Sequence, residues 1–261
     1  MPDFVYLSQN IGGAFDRLLC RTLEKRPHKL PEGRFVTLCF DDFPKSAVNV
    51  AAPMIEARDW RATWYVAGGY CGQTHPRMGA MFDRHDLERL ARAGHDFGCH
   101  TFDHVDCRSH DPDAVADQCR RNLTFLNAAG IHDLASFAYP FGEVNLAAKT
   151  NPALSDYLRR GVKTGLNQGV ADLALLKAVG LQANNGGIAR ALRSLRTLKN
   201  ADGWLIIFTH DVREQPSPWG AAPSDYARLL QAVEESGADV VTMAEMAARL
   251  NVTAPSPAMA A

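Results

Sequence analysis

Arg34-Phe35-Val36-Thr37-Leu38-Cys39-Phe40-Asp41-Asp42-Phe43 is the stretch whose reading decides the fold. Its apolar interior, Phe35 to Phe40, is rich in β-formers and reads as a buried strand, and it stops abruptly at two adjacent carboxylates. Side chains along a strand alternate between its faces, so a bend at the strand end can aim Asp41 and Asp42 into one cavity at different targets. One can hold a metal while its neighbour moves protons. A turn, or a cap on the next helix through Pro44-Lys45-Ser46, is the other reading of the same residues.

Outward from this stretch, composition sets the bounds. The 261 residues are 46% hydrophobic and 22% charged, enough to bury a substantial core as one large domain or two small ones. A net charge of −1 gives no global attraction to nucleic acid or to an anionic membrane. The opening Met-Pro-Asp-Phe-Val-Tyr lacks the basic and apolar regions of a secretory signal, and no later segment is apolar over the roughly 18 residues a membrane span needs. A cytoplasmic protein is expected. The six cysteines are scattered without C-x-x-C spacing, which in a reducing compartment reads as buried thiols.

Strand and helix signals alternate along the chain. Strands are expected at Phe4–Leu7, 35–40, Ala62–Val66, Asp96–Cys99, Ser136–Tyr139, Leu176–Leu181, Trp204–Thr209 and Asp239–Thr242. Helices are expected at Ala14–Leu23, Ala47–Arg58, Leu87–Ala93 opened by Asp86, Asp113–Ala129, one ending over Asp156–Arg160, Ala189–Leu198, Pro223–Ser236 and Ala244–Leu250. About seven such units imply a parallel α/β sheet closed, or nearly closed, into a barrel, with active groups beyond the carboxyl ends of the strands. Asp41-Asp42, His100, Tyr139-Pro140-Phe141-Gly142 and His210-Asp211 all fall at such ends. The segmentation is an N-terminal extension over 1–33 that packs on the barrel, a catalytic domain over 34–252 and a small-residue tail over 253–261.

The second element is His100-Thr101-Phe102-Asp103-His104. Two imidazoles four residues apart meet on one face of a helical turn, and with one carboxylate they make a three-ligand shell that leaves a position open for water. His75, His85, His95, His110 and His132 lie in or near loops, unpaired with a carboxylate at a strand end, and are read as surface or capping residues.

Cys39-Phe40-Asp41-Asp42 resembles the T-F-D-D motif of the polysaccharide deacetylases of the NodB-homology type, carbohydrate esterase family 4. His100-Thr101-Phe102-Asp103-His104 matches their H-[ST]-x-x-H, Phe137-Ala138-Tyr139-Pro140-Phe141-Gly142 their third motif and Ile207-Phe208-Thr209-His210 their last, in the same order and over roughly residues 34 to 250. The resemblance implies a distorted (β/α)7 barrel and removal of N-acetyl groups from N-acetylglucosamine-type units. It also implies a divalent metal on Asp42, His100 and His104, zinc first, with cobalt, nickel or manganese as substitutes. Asp41 is then the base, His210 the acid, and the backbone N–H of Phe141 a donor to the oxyanion. Tyr139, Pro140 and Phe141 are the expected substrate contacts, and Trp219, in the loop just beyond His210, is a further one by stacking on a sugar face, with simple packing as its plainer reading.

Two departures from the family pattern stand out. The third motif usually begins with an Arg that pairs with the base, and Ala138 stands there; Lys177 is one candidate replacement and a solvated lysine is its plainer reading. The D-x-x-D-W motif has no counterpart in Gly161–Gly169, leaving Asp172 or Asp211 to orient His210. A cytoplasmic enzyme points to a lipid-linked or nucleotide-linked precursor of an exported polysaccharide, as in the exopolysaccharide and holdfast deacetylases, with transient membrane contact and a homodimer left open. An amidase of the same fold acting on a cyclic imide or ureide, and a non-catalytic glycan-binding barrel, are the rivals.

Overall fold

The run at 34–41 becomes the central strand because both of its faces find apolar cover: every residue from Phe35 to Asp41 is buried. Val36, Leu38 and Phe40 join the large core under the helices, while Phe35 and Cys39 join a second core shared with Tyr65, Ala138, Leu176, Trp204 and Ile206. The alternation follows the two-residue strand period and separates the outer wall of the sheet from its interior. Asp41 has the interior parity.

The computed structural model describes residues 18–161, 163–183 and 186–252. The strands are β1 (Pro27–Lys29), β2 (Arg34–Asp41), β3 (Thr63–Val66), β4 (Thr74–His75), β5 (Gly79–Ala80), β6 (Asp96–Cys99), β7 (Ser136–Ala138), β8 (Leu158–Arg160), β9 (Val170–Asp172), β10 (Val179–Gly180), β11 (Gly203–Thr209) and β12 (Asp239–Val240). The helices are α1 (Ala52–Glu56), α2 (Arg84–Arg92), α3 (Pro112–Asn127), α4 (Leu146–Lys149), α5 (Gly187–Leu198), α6 (Pro223–Ser236) and α7 (Met243–Arg249). The main sheet runs β10-β11-β2-β3-β6-β7-β8, all parallel, and β12 pairs with the start of β2 on the edge that β3 occupies further on. Segment 176–180 touches both ends of this sheet: Leu176 bridges Arg160 and β10 pairs with β11. The result is the distorted parallel barrel expected from the sequence. Gly98 on β6 is required by packing, since a Cβ there would lie 2.4 Å from the Tyr65 ring.

Four local expectations are corrected. Leu158–Arg160 is a buried strand and not the end of a helix, because Arg159 and Arg160 find buried partners that their sequence neighbourhood does not reveal. Helix α2 is capped by Asp83, which accepts from the Asp86 N–H at 3.0 Å while Asp86 accepts from the Asp83 N–H at 2.9 Å, so Asp86 is the third residue of a capping box. Lys45, three residues beyond Asp42, pairs with both carboxylates and ties the loop after β2 to this helix. Helix Ala47–Arg58 splits into a π-turn over Ala47–Ala51 and α1. The segment after the expected helix Ala14–Leu23, for which no strand was expected, forms β1, which pairs antiparallel with β9.

The region before β2 is stitched to the wall of the barrel by Lys149. Its ammonium is fully buried, 2.6 Å from Asp172 and donating to the carbonyls of Cys20 and Leu23 at 2.7 Å each. The strand expected at Phe4–Leu7, the start of the helix Ala14–Leu23 and the tail at 253–261 lie outside the described residues. No helix among the described residues is long and apolar enough to cross a membrane.

Candidate active site

Strand β2 delivers Asp41 to the barrel interior, and the chain then turns. Asp42 has φ +43°, a left-handed backbone that swings its carboxylate off the strand alternation and toward His100 and His104. Thr101 (φ +60°), His104 (φ +53°) and Phe141 (φ +58°) are left-handed too, so four of the seven such non-glycine residues among those described cluster here. A β-branched residue such as Thr101 rarely adopts this conformation, and strain of this kind gathers at functional sites.

The loop from His100 to His104 is an irregular turn braced from outside, not the helical turn expected from the H-x-x-x-H spacing. Gln118 on α3 accepts from the N–H groups of Phe102 and Asp103 at 3.2 and 2.8 Å, Arg121 pairs with Asp103 at 2.6 Å, and the Thr101 hydroxyl accepts from the Val105 N–H at 3.1 Å. The turn still brings the two imidazoles together, with ring centroids 4.9 Å apart.

Asp42, His100 and His104 each offer a ligand atom, and these atoms all lie within 4.8 Å of one another. His104 Nε2 stands 2.8 Å and His100 Nε2 3.8 Å from Asp42 Oδ2. His100 Nδ1 is 2.7 Å from the Ala138 carbonyl, which fixes the proton on Nδ1 and turns the Nε2 lone pair toward Asp42. Burial raises the Asp42 carboxyl, but His100 and His104 outweigh it and hold the group below its ordinary value; burial lowers His100, partly opposed by Asp42. A charged Asp42 carboxylate and a neutral His100 are forms a cation needs. Asp42 Oδ1 is buried without a hydrogen-bond partner, and this donor set of two nitrogens and one oxygen fits a divalent metal with an open position.

Asp41 is bound by a residue the sequence reading missed. The Arg160 guanidinium pairs with Asp41 Oδ1 inside the barrel, its carbon 4.4 Å from the Tyr65 ring centroid and 4.7 Å from that of Phe208. Burial alone would weaken its hold on the proton, yet Asp41 more than compensates and keeps Arg160 charged. Arg160 thus supplies the cation absent at Ala138, whereas Lys177 is exposed. The only hint in sequence was a pair of arginines, Arg159-Arg160, directly before a glycine.

These groups open into a cavity of about 450 Å³ lined by Asp41, Asp42, His100, His104, Arg160 and His210, with Tyr70, His75, Tyr139, Phe141 and Trp219 among the surrounding walls. Phe141 is 69% exposed, and its ring lies 4.4 Å from that of His104. Pro140 is buried and is not among the lining residues. His210 Nδ1 has no hydrogen-bond partner, so neither acid considered for orienting it does so. Asp172 is taken by Lys149, and Asp211 is fully buried against Ser217 and Arg213. His75, read from sequence as a surface residue, lines the cavity.

Residues 28–157 match the family described as polysaccharide deacetylase. No curated protein sequence matches the chain. Among solved structures, a family 4 acetyl xylan esterase from Clostridium thermocellum, in complex with a cobalt ion, superimposes with TM-score 0.59 at 18% identity, over 84% of this chain and 93% of that one. The chitin deacetylase of the fungal pathogen Colletotrichum lindemuthianum gives 0.59 at 15% identity, over 84% and 89%. A CE4 family pseudoenzyme from Bacillus anthracis gives 0.59 at 13% identity, over 83% and 66%. At these identities the likeness is one of fold, and it extends to a protein described as lacking activity.

Proposed function

The chain carries a polysaccharide deacetylase domain of the NodB type, and on that premise we propose that it is a metal-dependent N-deacetylase acting on N-acetylglucosamine-type units of a glycan or a lipid-linked glycan precursor. The observation that carries this reading is the convergence of Asp42, His100 and His104 within 4.8 Å, in the same cavity as a second carboxylate, Asp41, held by its own buried cation. A divalent cation on those three residues, zinc by preference, would supply a water of lowered pKa and polarise the acetyl carbonyl.

The protein side of the chemistry follows from its own groups. Asp41 gives one carboxylate oxygen to Arg160 and keeps the other to accept the proton of the attacking water, the work of a general base. The rings of Tyr65 and Phe208 hold the Arg160 guanidinium, and the ion pair with it orients the Asp41 carboxylate. His210, in the same cavity, gives a proton to the departing amine. The Phe141 N–H is the candidate donor to the developing oxyanion, and Tyr139, Phe141 and Trp219 are candidate walls for the sugar. We assign the enzyme to the cytoplasm, where buried thiols such as Cys39 and Cys107 would stay reduced, and its glycan to an exopolysaccharide or holdfast precursor.

The test couples metal analysis to acetate release from N-acetylglucosamine oligomers. Zinc bound near one equivalent, with acetate released and abolished by chelator, supports the reading. A zinc-loaded protein that releases no acetate from any N-acetylated glycan would sink it.

A further inference from the structure

The hairpin β4–β5 forms a wall of the cavity, and His75 is its contribution. The ring lies edge-on to Trp219 and Tyr70, at centroid distances of 6.0 and 6.2 Å. The backbone N–H groups of Arg77 and Met78 both donate to Nδ1, at 3.2 Å each. An imidazole that accepts at Nδ1 carries its proton on Nε2. Protonating the ring would destroy the acceptor that closes the turn, and burial independently holds His75 below its ordinary value of 6.5. The histidine therefore offers the cavity a neutral N–H donor of fixed tautomer.

The placement of that donor is built, not incidental. β4 and β5 pair His75 with Gly79, whose φ of +83° makes the turn. Arg213 donates to the carbonyls of Arg77 and Met78, and its Nε lies 2.9 Å from Asp211. The same carboxylate accepts from the N–H and hydroxyl of Ser217, shaping the loop that carries Trp219, while the Arg77 guanidinium lies 5.5 Å from the Trp219 ring centroid. One buried acid beside His210 sets both walls.

We propose that His75 and Trp219 form a subsite for a neutral pyranose unit next to the metal cluster, with His75 Nε2–H donating to a hydroxyl or ring oxygen of a sugar packed on the indole. The identity of the ligand rests on the deacetylase reading; the donor and its support do not. A neutral donor beside an aromatic surface suits an uncharged sugar, whose hydroxyls need hydrogen bonds and whose C–H face needs apolar cover.

The decisive variant is His75→Asn. Asn Oδ1 occupies the position of Nδ1 and can accept the same two backbone N–H groups, as in an Asx turn, while the Nε2–H is gone. Binding of an N-acetylglucosamine oligomer to zinc-loaded protein, measured by titration calorimetry, is expected to weaken about five- to tenfold, the net value of one hydrogen bond. The melting temperature should stay unchanged. His75→Phe, which keeps the ring and removes both nitrogens, should lose at least as much affinity. Wild-type affinity in either folded variant overturns the subsite, as does a wild-type protein that does not bind the oligomer. Acetate release is read in parallel. His75-dependent binding without acetate would remove the deacetylase activity and leave the subsite, whereas acetate release with unchanged binding and KM in the variants would do the reverse.

Discussion

Replacing Arg160 with Met should be among the most damaging single changes in this barrel, and the size of the effect can be worked from its surroundings. Arg160 is 4% exposed, its carboxylate partner Asp41 is equally buried, and aromatic rings lie on two sides of the guanidinium. Two unit charges in contact, about 4 Å between centres, attract by about 4 kcal/mol at an effective dielectric of 20. Removing only the cation leaves Asp41 charged and dry, and such single deletions cost about 3–5 kcal/mol. For a domain of this length that is a drop in melting temperature of roughly 6–20 °C. Met fills much of the same volume between the rings, so little of the loss should come from a cavity. Adding Asp41→Asn removes the stranded charge, and the double variant should recover most of the stability lost in Arg160→Met. The assay is urea unfolding of the wild type, both single variants and the double, all with chelator present, giving the coupling energy from the cycle. A coupling below about 1 kcal/mol would show that the pair is not the buried contact described. In zinc-loaded protein, Arg160→Met should also lower kcat/KM for acetate release on the order of 10²-fold by misplacing Asp41, with zinc content unchanged.

Four further outcomes are expected. His100→Ala or Asp42→Ala should lose stoichiometric zinc, read by competition with a chromophoric chelator, whereas Asp41→Ala should keep the metal and lose turnover. Lys149→Met should cost about 3–5 kcal/mol in urea unfolding, because it strands the buried Asp172 and unties the carbonyls of Cys20 and Leu23. Asp172 carries a pH signature: burial raises its carboxyl, but the Lys149 ammonium and the backbone donors Arg26 and Ala174 outweigh burial and depress it below 3.8. Its contribution is thus complete above pH 3.8 and lost as pH falls through the lower folded value, so Asp172→Asn should flatten the fall in melting temperature below pH 4. Arg213→Met should cost about 1–3 kcal/mol in urea unfolding, because it leaves the fully buried Asp211 with only its Ser217 donors, and should raise KM for a glycan and speed hydrogen exchange in the hairpin around His75.

Much of this architecture was legible because its signals are local. An apolar run ending in Asp41-Asp42, an H-x-x-x-H at the end of a later strand and a histidine after the strongest strand of the second half each announce themselves within ten residues, and the parallel order follows from alternation. The approach of Asp42, His100 and His104 to one another was legible for the same reason, since strand ends in a parallel α/β fold meet at one rim. What misled was also local. The polar look of Leu158-Arg159-Arg160 suggested a helix end, and the spacing of His100 and His104 suggested a helical turn.

The amino-acid order alone therefore determined the class of fold and set Asp41-Asp42, His100-x-x-x-His104 and His210 at strand ends, because strand period and spacing are short-range properties of a chain, while the resemblance to the deacetylases supplied their candidate roles as ligands, base and acid. Only the tertiary structure decided which cation serves Asp41, which wall holds His75 and what Asp211 is for. Arg160 meets Asp41 across 119 residues and Arg213 meets Arg77 across 136. A buried charge is stable only where a partner waits, and no pattern in its own neighbourhood encodes where that partner stands.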